Sequence, residues 1–454
     1  MKLITNGRLV TWDNPNRIIE DHAILIDGKT IKEIDNQDRL VIKYADAERI
    51  DAKGSFVFPG NICAHTHFYG AFVRGMSIPG TPARNFPEIL SKLWFPLDKS
   101  LKREDIRYSA LVCLINAIRH GTTTLIDHHA SSTMIAGSLD EIANAVDETG
   151  LRAALCYEVT DRNGEENTND AIKENQRFIE YVKKEKPADG RLSAHFGLHA
   201  SLTLSEQTLE RCRKAVSDDV GFHIHVGEDS ADQYDSIQKC GLRVVDRLFK
   251  HGLLGERSIA VHAVHVDQKE LELLKETKTW VTHQPRSNMN NAVGVASVES
   301  MLRAGIRVCM GNDGFSNAMW EEWKTGYFLH KLNQRDPRVM PATTIVQMAV
   351  YNNAALASQV FDETIGVIKP GALADLIFVE YHPITPINEG NLPWHIIMGF
   401  NESMINSTMV NGQMIMENRE LKTVDEEKIA YYAEKILVPE VWKRFQAQYK
   451  EKRR

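Results

Sequence analysis

The hydrophobic rhythm of the chain changes three times. Residues 1–58 read as short strands punctuated by turn residues: KLITNGRLVTW, then HAILIDGKTIKEID folded at Asp27-Gly28, then GSFVFPG. From Pro59 to Leu356, short apolar runs (TTTLID, LRAALCYEV, LSAHFGLHA, GFHIHVGE, SIAVHAVH, TWVTHQP, RVCMGND) alternate with helix-like stretches such as SLDEIANAVDETG, which is a βα repeat. Seven or eight such units in about 300 residues predict a (β/α)8 barrel, whose strand ends face one shared mouth. A doubly wound sheet is the alternative, but no GxGxxG opens a helix. Past residue 365, GVIKPGALADLIFVEY and STMVNGQMIMENREL return to strands and turns, and from Asp425 the run EEKIAYYAEKIL predicts a helix ending in a solvated basic stretch.

The expected organisation is therefore an α/β chain with a small discontinuous β-sandwich built from both ends. Residues 1–58 supply its first part, 59–365 form the barrel, 366–424 complete the sandwich and 425–454 form a C-terminal helix.

Composition narrows the class. Hydrophobic residues make up 43% and charged residues 25% of the 454, which excludes disordered, collagen-like and coiled-coil chains. Lys and Arg number 54 against 61 Asp and Glu, a net charge of -7 with no long basic run before the closing KEKRR, so nucleic acid and anionic membrane are not expected partners. The start lacks the regions of a signal peptide, and no apolar stretch reaches the roughly 18 residues of a membrane span, which makes the cytoplasm the expected location. Six scattered cysteines (Cys63, Cys113, Cys156, Cys212, Cys240, Cys309) form no CxxC pair and are expected to be reduced.

The 17 histidines carry the chemistry, because most fall at the ends of the predicted barrel strands. In PGNICAHTHFYG, His65 and His67 lie two apart on an extended chain and so share a face, where they can grip one divalent ion. Alone the motif is weak, since about 0.6 HxH triplets are expected by chance at this histidine frequency. In GFHIHVGED, His225 and Glu228 offer a third nitrogen ligand and, a turn later, a carboxylate proton shuttle; His223 is read as structural. In SIAVHAVHVD, His262 ends the strand, either to stabilise a reactive water or as a capped loop histidine, and the loop reading is preferred for His265. In IRVCMGNDGFSN, Asp313 can bind a metal and take a proton from its water, or simply cap a turn. Three neutral imidazoles and a carboxylate leave a divalent cation one open position for water, which can then ionise with a pKa of ≈ 7.

PGNICAHTH, HVGED, the histidine of AVHAVH, HQPRSNM and MGNDG, in this order, resemble the amidohydrolase superfamily. The likeness is greatest to its cytosolic aminohydrolase branch, which includes guanine, 8-oxoguanine and adenosylhomocysteine deaminases and the triazine hydrolases, and within that branch to the SsnA-type aminohydrolases. The resemblance implies that His65, His67, His225 and Asp313 ligate one metal, zinc in preference to iron. It further implies that Glu228 shuttles protons, that His262 holds the attacking water or the substrate, and that His199 of FGLHAS contacts substrate. The segment FYGAFVRGMSIPGTPARNFPEILSKLWFP corresponds to the pocket lining of relatives. It puts Arg74, Arg84 and Trp94 forward for a planar or anionic substrate, although each also reads as a solvated arginine or a core tryptophan. His128 and His129 resemble the DHH of some heterocycle deaminases, with a substrate role for His129.

Two departures from the family pattern stand out. The usual GTDG is GNDG here, with Asn312 beside the ligand, and FGLHAS has no lysine to bridge two metals, which favours a single ion. The implied activity is hydrolytic deamination of a purine-like or other N-heterocyclic small molecule by a cytoplasmic homo-oligomer. The alternatives are hydrolysis of a cyclic amide or a C–Cl bond, or metal and ligand binding without turnover.

Overall fold

Eight short runs of chain, buried on both faces and one of them divided into two strands, set the centre of the molecule. The computed structural model describes residues 1–185 and 190–451. Asn61–Thr66, Thr122–Asp127, Arg152–Leu155 and Leu192–Ala194 form one parallel sheet. Phe196–Ala200, Phe222–Val226, Ile259–His262, Trp280–His283 and Val308–Met310 form a second, also parallel. Nearly every residue of these strands is buried, as expected of parallel strands covered on both sides.

The two sheets are neighbours at both of their edges. Leu192–Ala194 and Phe196–Ala200 are one stretch of chain that changes partner at His195. The His195 N–H donates to the Leu155 carbonyl and the Phe196 N–H to the Gly221 carbonyl. At the opposite edges, the backbone N–H groups of Asn312 and Asp313 donate to the His65 carbonyl at 2.9 and 3.2 Å.

Helices connect the strands, and their ends follow local chemistry. The predicted SLDEIANAVDETG helix spans Ser138–Thr149 and stops at Gly150, whose φ of +79° admits the left-handed cap and whose N–H bonds the Val146 carbonyl. Gln268–Glu276 begins with a reciprocal box between Asp267 and Glu270.

Both chain ends contribute to one seven-stranded sheet. Its order is Glu420–Leu421, Gln413–Glu417, Ile405–Val410, Leu376–Val379, Phe56–Pro59, Arg8–Val10 and Ile18–Ile19. A four-stranded sheet of Thr30–Asn36, His22–Asp27, Lys2–Thr5 and Glu48–Asp51 lies against it. Ile4, Ile24 and Ile26 of the smaller sheet share one apolar cluster with Leu9, Val57, Leu376, Phe378 and Met409 of the larger.

Two helices interrupt segments whose texture predicts only strands and turns. Gln37–Lys43 starts where Asn36 caps the Arg39 N–H, and Leu392–Gly399 starts with proline in its first turn. The predicted C-terminal helix is divided into Glu426–Tyr432 and Val438–Glu451 by a wider turn at Ala433–Leu437. Most of its basic end, residues 452–454, lies outside the described residues. No helix among the described residues is long and apolar enough to cross a membrane.

One buried ion pair ties the parallel strands to the end sheets. Arg152 is fully buried; its Nε and Nη2 donate to Asp375 at 3.1 and 3.3 Å, and Asp375 also accepts the Asn411 backbone N–H. Asp375→Ala leaves a buried guanidinium uncompensated and is expected to cost about 3–5 kcal/mol, read as a fall in the urea midpoint. Replacing both partners by apolar residues of similar size is expected to cost much less.

Candidate active site

The strand ends bring the scattered histidines to one point. Ligand atoms of His65, His67, His225 and Asp313 all lie within 4.8 Å of one another, and Glu228, His262 and Asp313 form a second such group that shares the aspartate.

The hydrogen bonds fix what these atoms can do. His67 Nδ1 donates to the His128 carbonyl at 2.6 Å and His225 Nδ1 to the His199 carbonyl at 2.8 Å. Both Nδ1 hydrogens are thus committed, and the two Nε2 atoms face each other at 3.2 Å, with that of His67 also 3.0 Å from Asp313 Oδ1. His65 Nε2 meets the same oxygen at 3.0 Å, while its Nδ1 meets His223 Nε2 at 2.9 Å. Lone pairs and a carboxylate converging in a buried space require a positive charge among them. A proton on His67 supplies one: burial works against it, but Asp313 and Glu158 carry its pKa up to about 9. A divalent cation supplies another, and two or three nitrogens plus one carboxylate is a donor set suited to zinc. His65, dragged down to about 3 chiefly by burial, and His225, lowered well below the usual imidazole range by the same cause, are neutral nitrogens of the kind that could hold such a cation.

The two acids beside this cluster are pushed in opposite directions. Burial and the Asp313 charge raise the Glu228 carboxyl well above its ordinary value. Asp313 is held well below its own: burial opposes this, but the imidazoles of His262, His65 and His67 prevail. Ser287 Oγ donates to Asp313 Oδ2 at 2.5 Å, and Asn291 Nδ2 donates to Glu228 Oε1 at 3.2 Å. His262 Nδ1 donates to Asn288 Oδ1 at 2.8 Å, leaving Nε2 buried without a hydrogen bond, 3.3 Å from Glu228 Oε2. Asp313 and His262 adopt left-handed backbone, with φ of +55° and +71°.

A cavity of about 660 Å³, counting its open mouth, lies over the cluster. His67, His199, His225, Glu228 and Asp313 form its floor and side; Tyr69, Phe86, Trp94 and Phe95 give it an aromatic wall. That wall is held from behind by the Val438–Glu451 helix. Gln448 Nε2 donates to the Pro96 carbonyl, Tyr449 OH to the Lys92 carbonyl and Trp442 Nε1 to the Phe72 carbonyl.

Several expected residues stand elsewhere. The His129 side chain is fully buried, bonded to Ser131 Oγ at 2.8 Å, and stands behind Tyr69 outside the cavity lining. Adjacent residues on extended chain point to opposite faces, so the site takes only the carbonyl and ring of His128. Arg84 is exposed and paired with Glu88, and Arg74 lines a neighbouring groove. His223 orients His65, and His265 Nε2 donates to the Val293 carbonyl. Asn312 shapes the following turn through Asn317 and Gly314 and makes no hydrogen bond to the Asp313 carboxylate.

The cavity also contains residues that the motifs did not single out. Glu158 and Arg162 line it, the latter paired with Asp98 and stacked 4.0 Å over Phe95. A strand-end signal existed for Glu158, since the apolar run LRAALCY breaks at that acid.

Comparison with known proteins adds ancestry to this geometry. The family model described as Amidohydrolase family matches residues 56–415. The 5-methylthioadenosine/S-adenosylhomocysteine deaminase of Syntrophomonas wolfei is 32% identical over 437 residues, covering 94% of this chain and 96% of that one. The 5'-deoxyadenosine deaminase of Methanosarcina mazei is 32% identical over 444 residues, covering 95% and 96%. Among solved structures, an adenosine deaminase from Xanthomonas campestris with bound zinc shares the fold, with a TM-score of 0.84, 22% identity and 98% of each chain covered.

Ser287 Oγ holds Asp313 Oδ2 without being one of the four clustered groups, so Ser287→Ala is expected to weaken zinc affinity by about 10–100-fold while the protein stays folded. Chelator competition followed by circular dichroism checks both parts.

Proposed function

Since the chain belongs to the amidohydrolase family, we propose that it is a metal-dependent hydrolytic deaminase of a purine-like or related N-heterocyclic small molecule. The observation that carries this reading is the convergence of four groups able to hold a metal with a protonated acid, an ionised base and an imidazole whose Nε2 has no hydrogen bond, under one aromatic-walled cavity. The activities for which the relatives are named, deamination of 5-methylthioadenosine, S-adenosylhomocysteine and 5'-deoxyadenosine, support the same bond class.

Held by His65, His67, His225 and Asp313, a divalent cation, zinc in preference to ferrous iron, would supply Lewis acidity and bring the ionisation of water close to neutral pH. The protein's own groups manage the protons. Asp313, kept ionised, accepts a proton from the attacking water, and His262 Nε2 accepts a hydrogen bond that orients it. Glu228, kept protonated, delivers its proton to a ring nitrogen as oxygen bonds to the amine-bearing carbon. The proton taken by Asp313 then serves the departing nitrogen: the C–N bond breaks, ammonia leaves, and the proton left on the newly bonded oxygen passes to Glu228, which restores the acid and leaves a ring carbonyl. Tyr69, Trp94 and Phe95 offer flat faces for the ring and limit water at the reacting carbon.

We extend the proposal to the architecture. The partner change at His195 and the Asn312 and Asp313 bonds to His65 support one closed (β/α)8 barrel over 59–365. The cluster shared by the end sheets supports a β-sandwich of 1–58 with 366–424, followed by the helix of 425–454. Six free cysteines support a reducing, cytoplasmic setting.

Zinc-loaded protein is expected to release ammonia from an aminated heterocycle in a panel of purines, pyrimidines and pterins. Glu228→Gln is expected to lower kcat by about 10²–10⁴-fold with zinc content unchanged. Wild-type turnover in that variant overturns the assignment of Glu228, and chloride or a ring-opened acid in place of ammonia moves the reaction to another bond.

A further inference from the structure

Beside the ligand cluster stand two acceptors for which the deamination chemistry has no use. Glu158 is buried, with Oε1 accepting from His128 Nδ1 at 3.1 Å, while Oε2 takes no hydrogen bond from any described residue. Its nearest neighbour across the cavity is His199 Nε2, 3.9 Å from Oε2. That nitrogen is also an acceptor, by the following chain of bonds. Thr203 Oγ1 donates to the Ala200 carbonyl at 3.1 Å, so its oxygen is free to receive the His199 Nδ1 hydrogen at 2.8 Å, and Nε2 keeps its lone pair. Both residues line the cavity, and neither free atom is among the sealed polar atoms of the interior.

Resting on the deaminase reading above, we infer that Glu158 and His199 form a two-acceptor clamp for N–H groups on the reacting ring of the substrate, separate from the amine that departs. Two acceptors 3.9 Å apart are bridged by one amino group or by adjacent ring and exocyclic N–H groups at ordinary hydrogen-bond lengths. The clamp reads the ring itself because Glu158 and His199 line the same cavity as His67, His225 and Asp313. It is distinct from the machinery that handles the leaving nitrogen: the strand carrying His225 stands between the strand that ends at His199 and the one that ends at His262. A ring that presents only lone pairs to this edge leaves two buried acceptors unmatched, a mismatch that polar sites reject strongly. The substrate class is therefore an amino-heterocycle with an additional N–H edge, of the amidine or guanidine type, in preference to a ring whose remaining nitrogens are all unprotonated.

Matched heterocycles that differ only in a ring N–H or N–CH3 test the clamp: guanine against 1-methylguanine and 9-methylguanine, and cytosine against 1-methylcytosine. Adenosine against 2',3'-dideoxyadenosine forms the hydroxyl arm. With zinc-loaded wild type, the N–H member of at least one pair is expected to exceed its methylated partner by about tenfold or more in kcat/KM, and Glu158→Gln is expected to bring the ratio within about threefold, mainly through KM. Zinc content and circular dichroism of the variant are expected to match wild type. Thr203→Val, which frees the His199 tautomer without touching the ligand cluster, is expected to move the ratio in the same direction. Equal handling of every N–H and N–CH3 pair by wild type, an unchanged ratio in Glu158→Gln, or discrimination confined to the ribose hydroxyls overturns the clamp while leaving the deaminase reading intact. Ammonia from none of the compounds overturns the deaminase reading. In that event calorimetric titration of the same pairs still decides the clamp: tighter binding of an N–H member supports it, and equal binding of all pairs refutes it.

Discussion

A buried point where imidazole lone pairs and a carboxylate meet must contain positive charge, and much of the surrounding structure serves that requirement. The backbone carbonyls of His128 and His199 take the Nδ1 hydrogens of His67 and His225, which leaves the opposite nitrogens no freedom to turn away. His223 restrains His65 in the same manner, and Ser287 restrains Asp313. The last strand can come this close only because position 311 is glycine. A Cβ there would lie 2.6 Å from the His65 carbonyl oxygen and 2.7 Å from its nitrogen, closer than packed atoms approach. The site and the edge-to-edge contact between the two parallel sheets are thus one arrangement of atoms.

Legibility in the sequence tracked how local each signal was. His65 and His67 share a face because extended chain alternates, and the His225 to Glu228 spacing spans the end of one strand, so both could be read from a few residues. The alternating apolar and helical texture likewise exposed the parallel strands and the helix of residues 138–149. The pocket wall was less accessible. Arg74, Arg84 and Trp94 come from one segment, yet only Trp94, on its helical part, reaches the cavity, because the course of the segment depends on packing against Tyr69 and the distant C-terminal helix. His129 lost its expected place to the parity of the chain, and Glu158 escaped notice because an acid after an apolar run carries no motif of its own. The short helix of residues 37–43 depended on a single capping asparagine within strand-like sequence.

Two residues of the site also occupy uncommon backbone. Asp313 and His262, followed by Ala263, lie in the left-handed region, a conformation that costs on the order of 1–3 kcal/mol for residues other than glycine. Neighbouring strands carry that cost: the Ala263 N–H is bound to the Val226 carbonyl and the Asp313 N–H to the His65 carbonyl. Each strand therefore turns abruptly at its end and delivers its side chain inward, next to the clustered imidazoles, at a point where a regular strand would have continued past them.

The helix of residues 438–451 stands behind the aromatic wall, gripping the carbonyls of Phe72, Lys92 and Pro96 through Trp442, Tyr449 and Gln448. Docking of that helix and occupancy of the cavity are therefore linked equilibria. Whatever pries the helix loose lowers affinity for the guest, and by reciprocity a seated guest slows local opening of the tail. A region beyond the stretch matched by the family model thus shares in the stability of the cavity wall.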